Sequence, residues 1–343
     1  MNDHLTTRER EILEILKKDP MIAQDDLAEG LMISRSAAAV HISNLMRKGY
    51  IAGRGYIFDE RSEILVAGKT WLEVCVSAGR GDTDVRDGVR KGAIKLAGAG
   101  NGYLLALELA RRNLEPTLLT FLGRDEIGDQ MFNHLLNKGV NVQNIIRGQG
   151  IPTGKRLVFS VPNDAAFLVK DDEGELPLGQ EAVSSKEDLI KNTRMLLIDG
   201  DLPLKTVAYL ASVAVKNNIM VSVLGWPLNL LRAQGLLAYP QFFLVCSVRD
   251  LAAQSPVTLP AEPEELFPAC RQIVGEGCQA LVVVFGDQGL ILATAEETVY
   301  LPASPLQAPG TVLCIAAGLA EGLASGYMIR MAVRRAMGSA ATG

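Results

Sequence analysis

The stretches that decide the fold of this chain are Leu96-Ala-Gly-Ala-Gly-Asn-Gly102 and Phe121-Leu-Gly-Arg-Asp-Glu-Ile-Gly128. The first leads into a helical pattern over residues 102–112, and the second continues an apolar run at residues 117–121. Glycines in such turns let the backbone approach a small ligand, and an asparagine can both donate and accept hydrogen bonds. A third glycine turn, Phe285-Gly-Asp-Gln-Gly289, follows a β-branched run. An isolated glycine turn is more often only a turn, so these three matter through their order along the chain.

Apolar strands and helical stretches alternate from residue 64 towards the C-terminus. The clearest strands are residues 64–68, 117–121, 195–198, 220–224, 242–246 and 281–285. The clearest helices are residues 102–112, 130–138, 203–217 and 263–276. This alternation predicts an α/β fold, a mostly parallel sheet sandwiched by helices, in which ligands bind at the carboxyl ends of the strands. Gly318, Gly322 and Gly326, four residues apart, predict a helix face that packs closely against that sheet.

The first sixty residues carry a different pattern, three short helices followed by a small hairpin. The predicted helices cover about residues 6–19, 25–32 and 36–48, and residues 50–58 predict a strand, a tight turn and a second strand. Ser34 is a good N-cap for the third helix, whose predicted inward residues are Val40, Ile42 and Leu45. This order of elements predicts a winged helix-turn-helix. The stretch from Asp26 to His41 resembles the helix-turn-helix of bacterial regulators of the MarR and Lrp kind.

Charge in this segment favours double-stranded DNA as a partner. Residues 34–58 hold four basic residues and no carboxylate. A basic third helix and wing suit phosphate contacts, with the first turn of that helix aimed at base edges. The expected DNA contacts are Ser34, Arg35, Ser36, His41, Arg47, Lys48 and Arg54. The alternative is a domain that makes only protein contacts. One winged helix binds DNA weakly, so a homodimer is expected.

From about Glu63 onward the glycine turns, in their order and spacing, resemble the ribokinase-like (PfkB-type) carbohydrate kinases. The resemblance implies a kinase-like domain over residues 61–343 with a small β lid at about 74–97 and 155–170, after a winged helix at 1–60. It implies that Gly98, Gly100 and Asn101 face a sugar. Glu73 stands where the family usually carries an aspartate that binds a sugar hydroxyl, and Gly286 and Gly289 match a loop near adenine. A basic run over residues 80–95 falls in the lid. Such a run is more often a solvated face, but if it lines the site, a phosphorylated sugar is a further candidate ligand.

The resemblance fails on the nucleotide side. The family's second signature, Asp-Thr-x-Gly-Ala-Gly-Asp, falls on Gln307-Ala-Pro-Gly-Thr-Val-Leu313, where only Gly310 survives and Leu313 occupies the position of the general base. The magnesium motif Asn-x-x-Glu falls on Ser247-Val-Arg-Asp250. Ser247, Asp250, Gly286, Gly289 and Gly310 are therefore expected to be vestigial, with no catalytic residue and no metal ligand. A base recruited elsewhere stays an alternative, with candidates Asp199, Asp201 and Asp287.

Composition adds few constraints. The chain has 343 residues with 34 basic and 39 acidic side chains, so any DNA contact must come from a local patch. No apolar run reaches the ~18 residues that span a bilayer, the N-terminus lacks a signal-peptide pattern, and the cysteines are scattered. A cytoplasmic location without membrane association is expected.

Three functions remain open from the residues. The favoured one is a transcription regulator whose kinase-like domain senses a sugar, nucleoside or sugar phosphate and has lost phosphoryl transfer. The second is an active carbohydrate or nucleoside kinase with a DNA-binding appendage, the only case that requires ATP and magnesium. The third is a relic domain that only dimerises the winged helices and binds no ligand.

Overall fold

The computed structural model describes residues 5–18, 22–48, 50–51, 62–78, 92–160, 167–171, 178–225, 228–252, 262–286, 288–303 and 312–339. The chain divides into two compact units, Met1–Arg61 and Ser62–Gly343. Across the ranges described, no helix is long and apolar enough to cross a membrane.

The N-terminal unit packs three helices around one apolar cluster, α1 (Thr7–Lys18), α2 (Gln24–Gly30) and α3 (Arg35–Arg47). Ser34 caps α3 as predicted, because its hydroxyl accepts a hydrogen bond from the Ala37 N–H at 3.1 Å. The prediction that Val40 points inward is wrong, since 58% of it is exposed. The buried stripe runs through Ala38, Ile42 and Leu45, at helical spacing, and leaves Val40 on the other face. The predicted wing at 52–58, with Arg54, lies outside the described residues.

A buried ion pair joins the two ends of this unit. Glu9 is 2% exposed, and Lys48 Nζ donates to both of its carboxylate oxygens at 2.8 and 2.9 Å. Glu9 also accepts the Thr6 N–H, while the Thr6 hydroxyl accepts the Glu9 N–H, which closes a capping box at the start of α1. Burial alone would raise the pKa of Glu9, but the hydrogen bonds from Lys48 and Thr6 outweigh it and lower the pKa.

The larger unit contains the α/β fold that the alternation predicted. Its strands are β1 (Ser62–Ala67), β2 (Trp71–Ala78), β3 (Gly92–Ala99), β4 (Thr117–Leu119), β5 (Phe121–Gly123), β6 (Ile146–Gly148), β7 (Lys155–Ser160), β8 (Phe167–Lys170), β9 (Thr193–Asp199), β10 (Met220–Leu224), β11 (Phe242–Ser247), β12 (Ala280–Val284), β13 (Gly289–Ala293) and β14 (Thr298–Pro302). Its α-helices are α4 (Asn101–Arg111), α5 (Glu126–Asn137), α6 (Gln180–Ser184), α7 (Glu187–Lys191), α8 (Leu204–Lys216), α9 (Leu228–Ala233), α10 (Val248–Ala252), α11 (Phe267–Val274), α12 (Val312–Ala324) and α13 (Ile329–Ser339).

The main sheet has eight strands in the order β14-β13-β12-β11-β10-β9-β1-β4. All neighbours pair in parallel except β12 with β13 and β13 with β14. Alternate residues of β1 enter opposite cores: Ile64 and Val66 pack with helices α4, α5, α12 and α13, and Leu65 and Ala67 with α6–α8 and α11. The carboxyl ends of β1 and β9–β12 therefore lie at one edge of the sheet, where a ligand site is expected.

Helix α12 packs most closely against another helix and not, as its glycine spacing predicted, against the sheet. A Cβ on Gly318 would lie 2.8 Å from the Cα of Ala336, and one on Gly322 would lie 2.6 Å from the Cβ of Ala332. Both alanines belong to α13. The glycines therefore allow a close crossing of α12 and α13, and the sheet contacts come from the other side of α12.

A second sheet of four strands, in the order β3-β2-β7-β8, has one polar and one apolar face. The register pairs Glu73 with Arg156 and with Ala97, and Arg156 with Lys170, so these side chains share one face. The opposite face has Lys155 at one end and carries eight apolar side chains across the four strands: Val74, Val76, Ile94, Leu96, Leu157, Phe159, Phe167 and Val169. We call this four-stranded sheet the lid and its second side the apolar lid face. Ile94 and Leu96 are 71% and 66% exposed.

Replacing Glu9 by Gln should destabilise the N-terminal unit by about 1–3 kcal/mol, because a buried charged hydrogen bond is lost. The control, Glu11→Gln, breaks an exposed pair with Arg8 on the same helix and should cost under about 0.5 kcal/mol. Amide hydrogen exchange over α1 and α3 in the full chain measures both effects.

The pH dependence of this effect follows from the lowered pKa of Glu9. A carboxyl with a lowered pKa adds stability above its unfolded value and loses it as the pH falls through the folded value. The difference between the parent chain and Glu9→Gln should therefore vanish on acidification. If Glu9→Gln and Glu11→Gln destabilise the N-terminal unit equally at neutral pH, the Glu9–Lys48 ion pair does not stabilise it more than the exposed pair does.

Candidate functional site

A buried carboxylate holds together three segments at the carboxyl edge of the main sheet. Asp199, the last residue of β9, is 2% exposed. Its Oδ1 accepts the Asn101 side-chain N–H at 2.8 Å and the Asp201 backbone N–H at 3.0 Å, and its Oδ2 accepts the Lys69 N–H at 3.0 Å. Burial raises the pKa of Asp199, although these hydrogen bonds partly oppose the shift. The carboxylate fixes the first residue of α4 beside the end of β1.

The glycines of the first turn permit a close approach of backbones at this point. Gly100 has φ +101°, in the region that favours glycine, and a Cβ there would lie 2.3 Å from the Lys69 carbonyl oxygen. A Cβ on Gly102 would lie 2.6 Å from the carbonyl carbon of Gly68. The start of α4 therefore sits directly on the end of β1, which brings Asn101 within reach of Asp199.

The four residues expected to face a sugar lie on β2, on β3 and at the start of α4. Glu73 is on β2, and the register pairs the preceding residue, Leu72, with Gly98 on β3. Gly98 packs against the ring of Tyr103, because a Cβ there would lie 2.3 Å from that ring. Gly100 and Asn101 follow at the junction of β3 and α4. Glu73 pairs with Ala97, so its side chain lies on the polar side of the lid, whereas Gly98 faces the other side, towards Tyr103.

Two residues of this neighbourhood were missed by sequence reasoning. The Arg156 guanidinium carbon lies 3.5 Å from the centroid of the Trp71 ring, a close cation–π contact on the polar side of the lid. Trp71 is buried, and within the described part of the chain its Nε1 finds no hydrogen-bond partner. Buried donors are nearly always satisfied, so this indole N–H is an exception among the described residues. Sequence offers no signal for the pair, because 85 positions separate the two residues.

The residues expected on the nucleotide side are engaged with one another or with the core. Ser247 donates both its N–H (2.8 Å) and its hydroxyl (2.7 Å) to Asp250 Oδ2, and its hydroxyl oxygen accepts the Asp250 N–H (3.1 Å). Leu313, in the first turn of α12, packs against the apolar cluster on that face of the sheet. Gly286 and Gly289 flank the hairpin between β12 and β13. Gly310 and Asp287 lie outside the described residues, as do residues 79–91 with most of the basic run.

The two alternative bases that the structure describes differ in their engagement. Asp199 has both oxygens occupied by the three donors above, which orients the Asn101 amide. Asp201 is exposed after β9, and in the described ranges no donor bonds to its side chain.

In the N-terminal unit, the predicted DNA contacts have different environments. Arg35, Ser36 and Arg47 are exposed on α3, whereas His41 is half-buried. Arg35 pairs with Asp25 at 3.3 Å, and Arg47 donates to Asn44 Oδ1 at 2.9 Å. Ser34 is committed to capping α3, and Lys48 to Glu9. The exposed cations of α3 are thus the two arginines near its ends.

Comparison with known families matches both units. The model of pfkB family carbohydrate kinases matches residues 82–342, and that of winged helix-turn-helix DNA-binding domains matches residues 5–52. A curated relative, the uncharacterized sugar kinase YeiI of Escherichia coli strain K12, is 31% identical over 214 residues, which cover 61% of this chain and 58% of that protein. The deoxyribokinase of Salmonella typhi is 22% identical over 220 residues, 64% of this chain and 71% of that protein.

Solved structures show the same fold. Ribokinase of Arabidopsis thaliana complexed with ribose and ATP superposes with a TM-score of 0.67 at 16% identity, over 82% of this chain and 92% of that one. Ribokinase of Thermotoga maritima gives a TM-score of 0.64 at 17% identity, over 82% and 94%. At these identities the likeness establishes the ribokinase-like fold alone.

Replacing Asp199 by Asn should destabilise the larger unit by about 1–3 kcal/mol, because an amide group presents an N–H where a carboxylate oxygen accepted one. The matched control is Asp201→Asn, two residues away and exposed, which should change stability by less than about 0.5 kcal/mol. Urea denaturation of the full chain, followed by Trp71 and Trp226 fluorescence, measures the difference. Equal midpoints for the two variants would show that Asp199 is not the anchor of this edge.

Proposed function

This chain belongs to the pfkB family of carbohydrate kinases, and from that premise we propose that it is a DNA-binding transcription regulator in which the kinase-like unit senses a small ligand. The ligand is a sugar, a nucleoside or a phosphorylated sugar, bound beside Glu73, Gly98, Gly100 and Asn101. The unit has lost phosphoryl transfer. The carrying observation is the contrast between two predicted site residues: Asn101 is anchored by Asp199, while the partly buried Leu313 packs against the apolar cluster.

The sugar side of the site supports ligand binding. The Asn101 amide donates one N–H to Asp199, which fixes the side chain and leaves its oxygen for a ligand donor. Glu73 supplies a carboxylate on the polar lid face, where Lys95, Arg156 and Lys170 lie as well. Three cations beside one carboxylate favour a ligand that has an anionic group as well as hydroxyls.

The residues present do not fit Mg-ATP as a phosphoryl donor. Oxygen ligands suit Mg²⁺, but the expected amide is replaced by Ser247, and Asp250 Oδ2 accepts hydrogen bonds from the N–H and hydroxyl of Ser247. A leucine at the base position accepts no proton, and general base catalysis supplies about 10²–10⁴-fold of rate. Phosphoryl transfer depends almost wholly on positioning and electrostatics, so the loss of these groups removes most of its support.

The winged helix supports DNA as the macromolecular partner, and the apolar lid face supports a homodimer. Such a helix-turn-helix commonly binds DNA as a dimer that presents two third helices. Eight apolar side chains on one side of a four-stranded sheet form a contiguous patch, which in a monomer would face water. A second copy of the chain can cover this patch with the same patch, as in a two-fold interface.

The sensor function is tested by thermal shift of the full chain against free sugars, nucleosides and their phosphates, each with and without Mg-ATP. We expect a shift with at least one compound alone and no ADP formation above background. Asn101→Ala should weaken the binding of that compound about tenfold or more, because an amide that hydrogen-bonds to the ligand is lost. The control, Asn137→Ala on the exposed end of α5, should bind as the parent chain does.

Formation of ADP together with a phosphorylated product would establish the active kinase instead. If none of the compounds shifts the parent chain, and Asn101→Ala and Glu73→Gln bind DNA like the parent, the domain serves only to dimerise the winged helices.

The dimer is tested separately by sedimentation velocity. Leu96→Glu places a charge on the apolar lid face and should convert the chain to a monomer at micromolar concentration. Leu136→Glu changes an equally apolar, 52% exposed side chain on α5 and should leave the dimer intact. A dimer that survives Leu96→Glu would mean that another surface joins the copies.

A further inference from the structure

Helix α3 exposes one stripe of seven side chains that contains no carboxylate. The stripe consists of Arg35, Ser36, Ala39, Val40, Ser43, Met46 and Arg47. Arginines stand at its two ends, and the middle is small or apolar. The opposite stripe, Ala38, Ile42 and Leu45, is buried in the unit's core. The exposed stripe is therefore not needed for packing within this unit.

The middle of the stripe offers methyl groups rather than hydrogen-bonding groups. Val40 is 58% exposed, and Ala39 beside it is exposed too. Neither side chain can donate to or accept from a base edge. In the major groove, the apolar feature that distinguishes one base from the others is the C5-methyl group of thymine, which Ala and other methyl-bearing side chains contact. Ser36 and Ser43 flank this pair and can hydrogen-bond to either base of a pair.

The ends of the stripe suit DNA phosphates. Residues 35 and 47 are twelve positions apart, about 18 Å along a helix axis, compared with a major groove about 12 Å wide. Both arginines can thus meet a backbone when the middle of α3 lies in the groove. Arg35 now pairs with Asp25 at 3.3 Å, but both side chains are more than half exposed, so a phosphate can replace that carboxylate.

We propose that α3 reads thymine methyl groups in the major groove through Val40 and Ala39, with Arg35 and Arg47 on the flanking phosphates. Each half-site of the operator then holds A·T pairs at the bases opposite the middle of α3. The inference rests on the DNA-binding function proposed above and adds its sequence specificity. We favour DNA as the partner of this stripe because two arginines without an acidic residue are complementary in charge to the phosphate backbone.

The test begins with the full chain and a pool of random duplexes of about 30 base pairs, from which bound duplexes are selected. The tightest duplex is remade with deoxyuridine in place of each thymidine in turn, which removes only the methyl group. We expect binding to weaken about three- to fivefold at one or two positions of each half-site. The Val40→Ala variant should bind the duplex with all its thymines about three- to fivefold more weakly than the parent chain does. Deoxyuridine at the thymine that Val40 contacts should then weaken binding by this variant little further. Leu136→Ala, an exposed truncation in the other unit, should behave like the parent chain.

The outcomes separate this inference from the function on which it rests. Binding that is unchanged by every deoxyuridine, or deoxyuridine losses that persist undiminished in Val40→Ala, would overturn the thymine contact while leaving DNA binding intact. Selection of duplexes without a common sequence would overturn it in the same way. If the full chain binds no duplex at low salt, the proposed DNA-binding function itself is wrong. If Val40→Ala instead lowers the oligomeric state of the chain, the exposed stripe is a contact with a second copy.

Discussion

The carboxylate of Asp199 is the contact on which the carboxyl edge of the main sheet depends. It accepts hydrogen bonds from the end of β1, from the first residue of α4 and from the turn after β9, which are far apart in the chain. A buried carboxylate is costly to desolvate, which is why the pKa of Asp199 is raised, and the three donors offset part of that cost. One side chain therefore determines where the Asn101 amide lies.

The residues expected on the two sides of the site differ in what they contact. On the sugar side, the glycines let α4 rest on β1, and Asn101 keeps a fixed orientation. On the nucleotide side, Ser247 and Asp250 cap the start of α10 by bonding to each other. These hydrogen bonds stabilise the start of α10.

Local signals in the sequence predicted well, and contacts between distant segments did not. The α/β alternation and the Ser34 cap depend on neighbours a few residues away, and both were found in the structure. Val40 was assigned to the core because it is apolar, but Ala38, smaller and at the right helical spacing, takes that place. The spacing of Gly318 and Gly322 indicated a close approach without naming the partner, which is α13. The Trp71–Arg156 contact depends on the register of β2 against β7, and no local pattern encodes that register.

A ligand at Asn101 can influence DNA only through a state that both binding reactions share. If a dimer is that state, each dimer brings two α3 helices to two half-sites, and DNA affinity depends on the fraction of chain that is dimeric. The lid supplies both surfaces required: its polar face carries Glu73 and Arg156, and its apolar face suits a second copy. A ligand that orders the lid would favour association through the opposite face, because the strands are common to both. By linkage, DNA bound to two half-sites would then tighten ligand binding by the same factor.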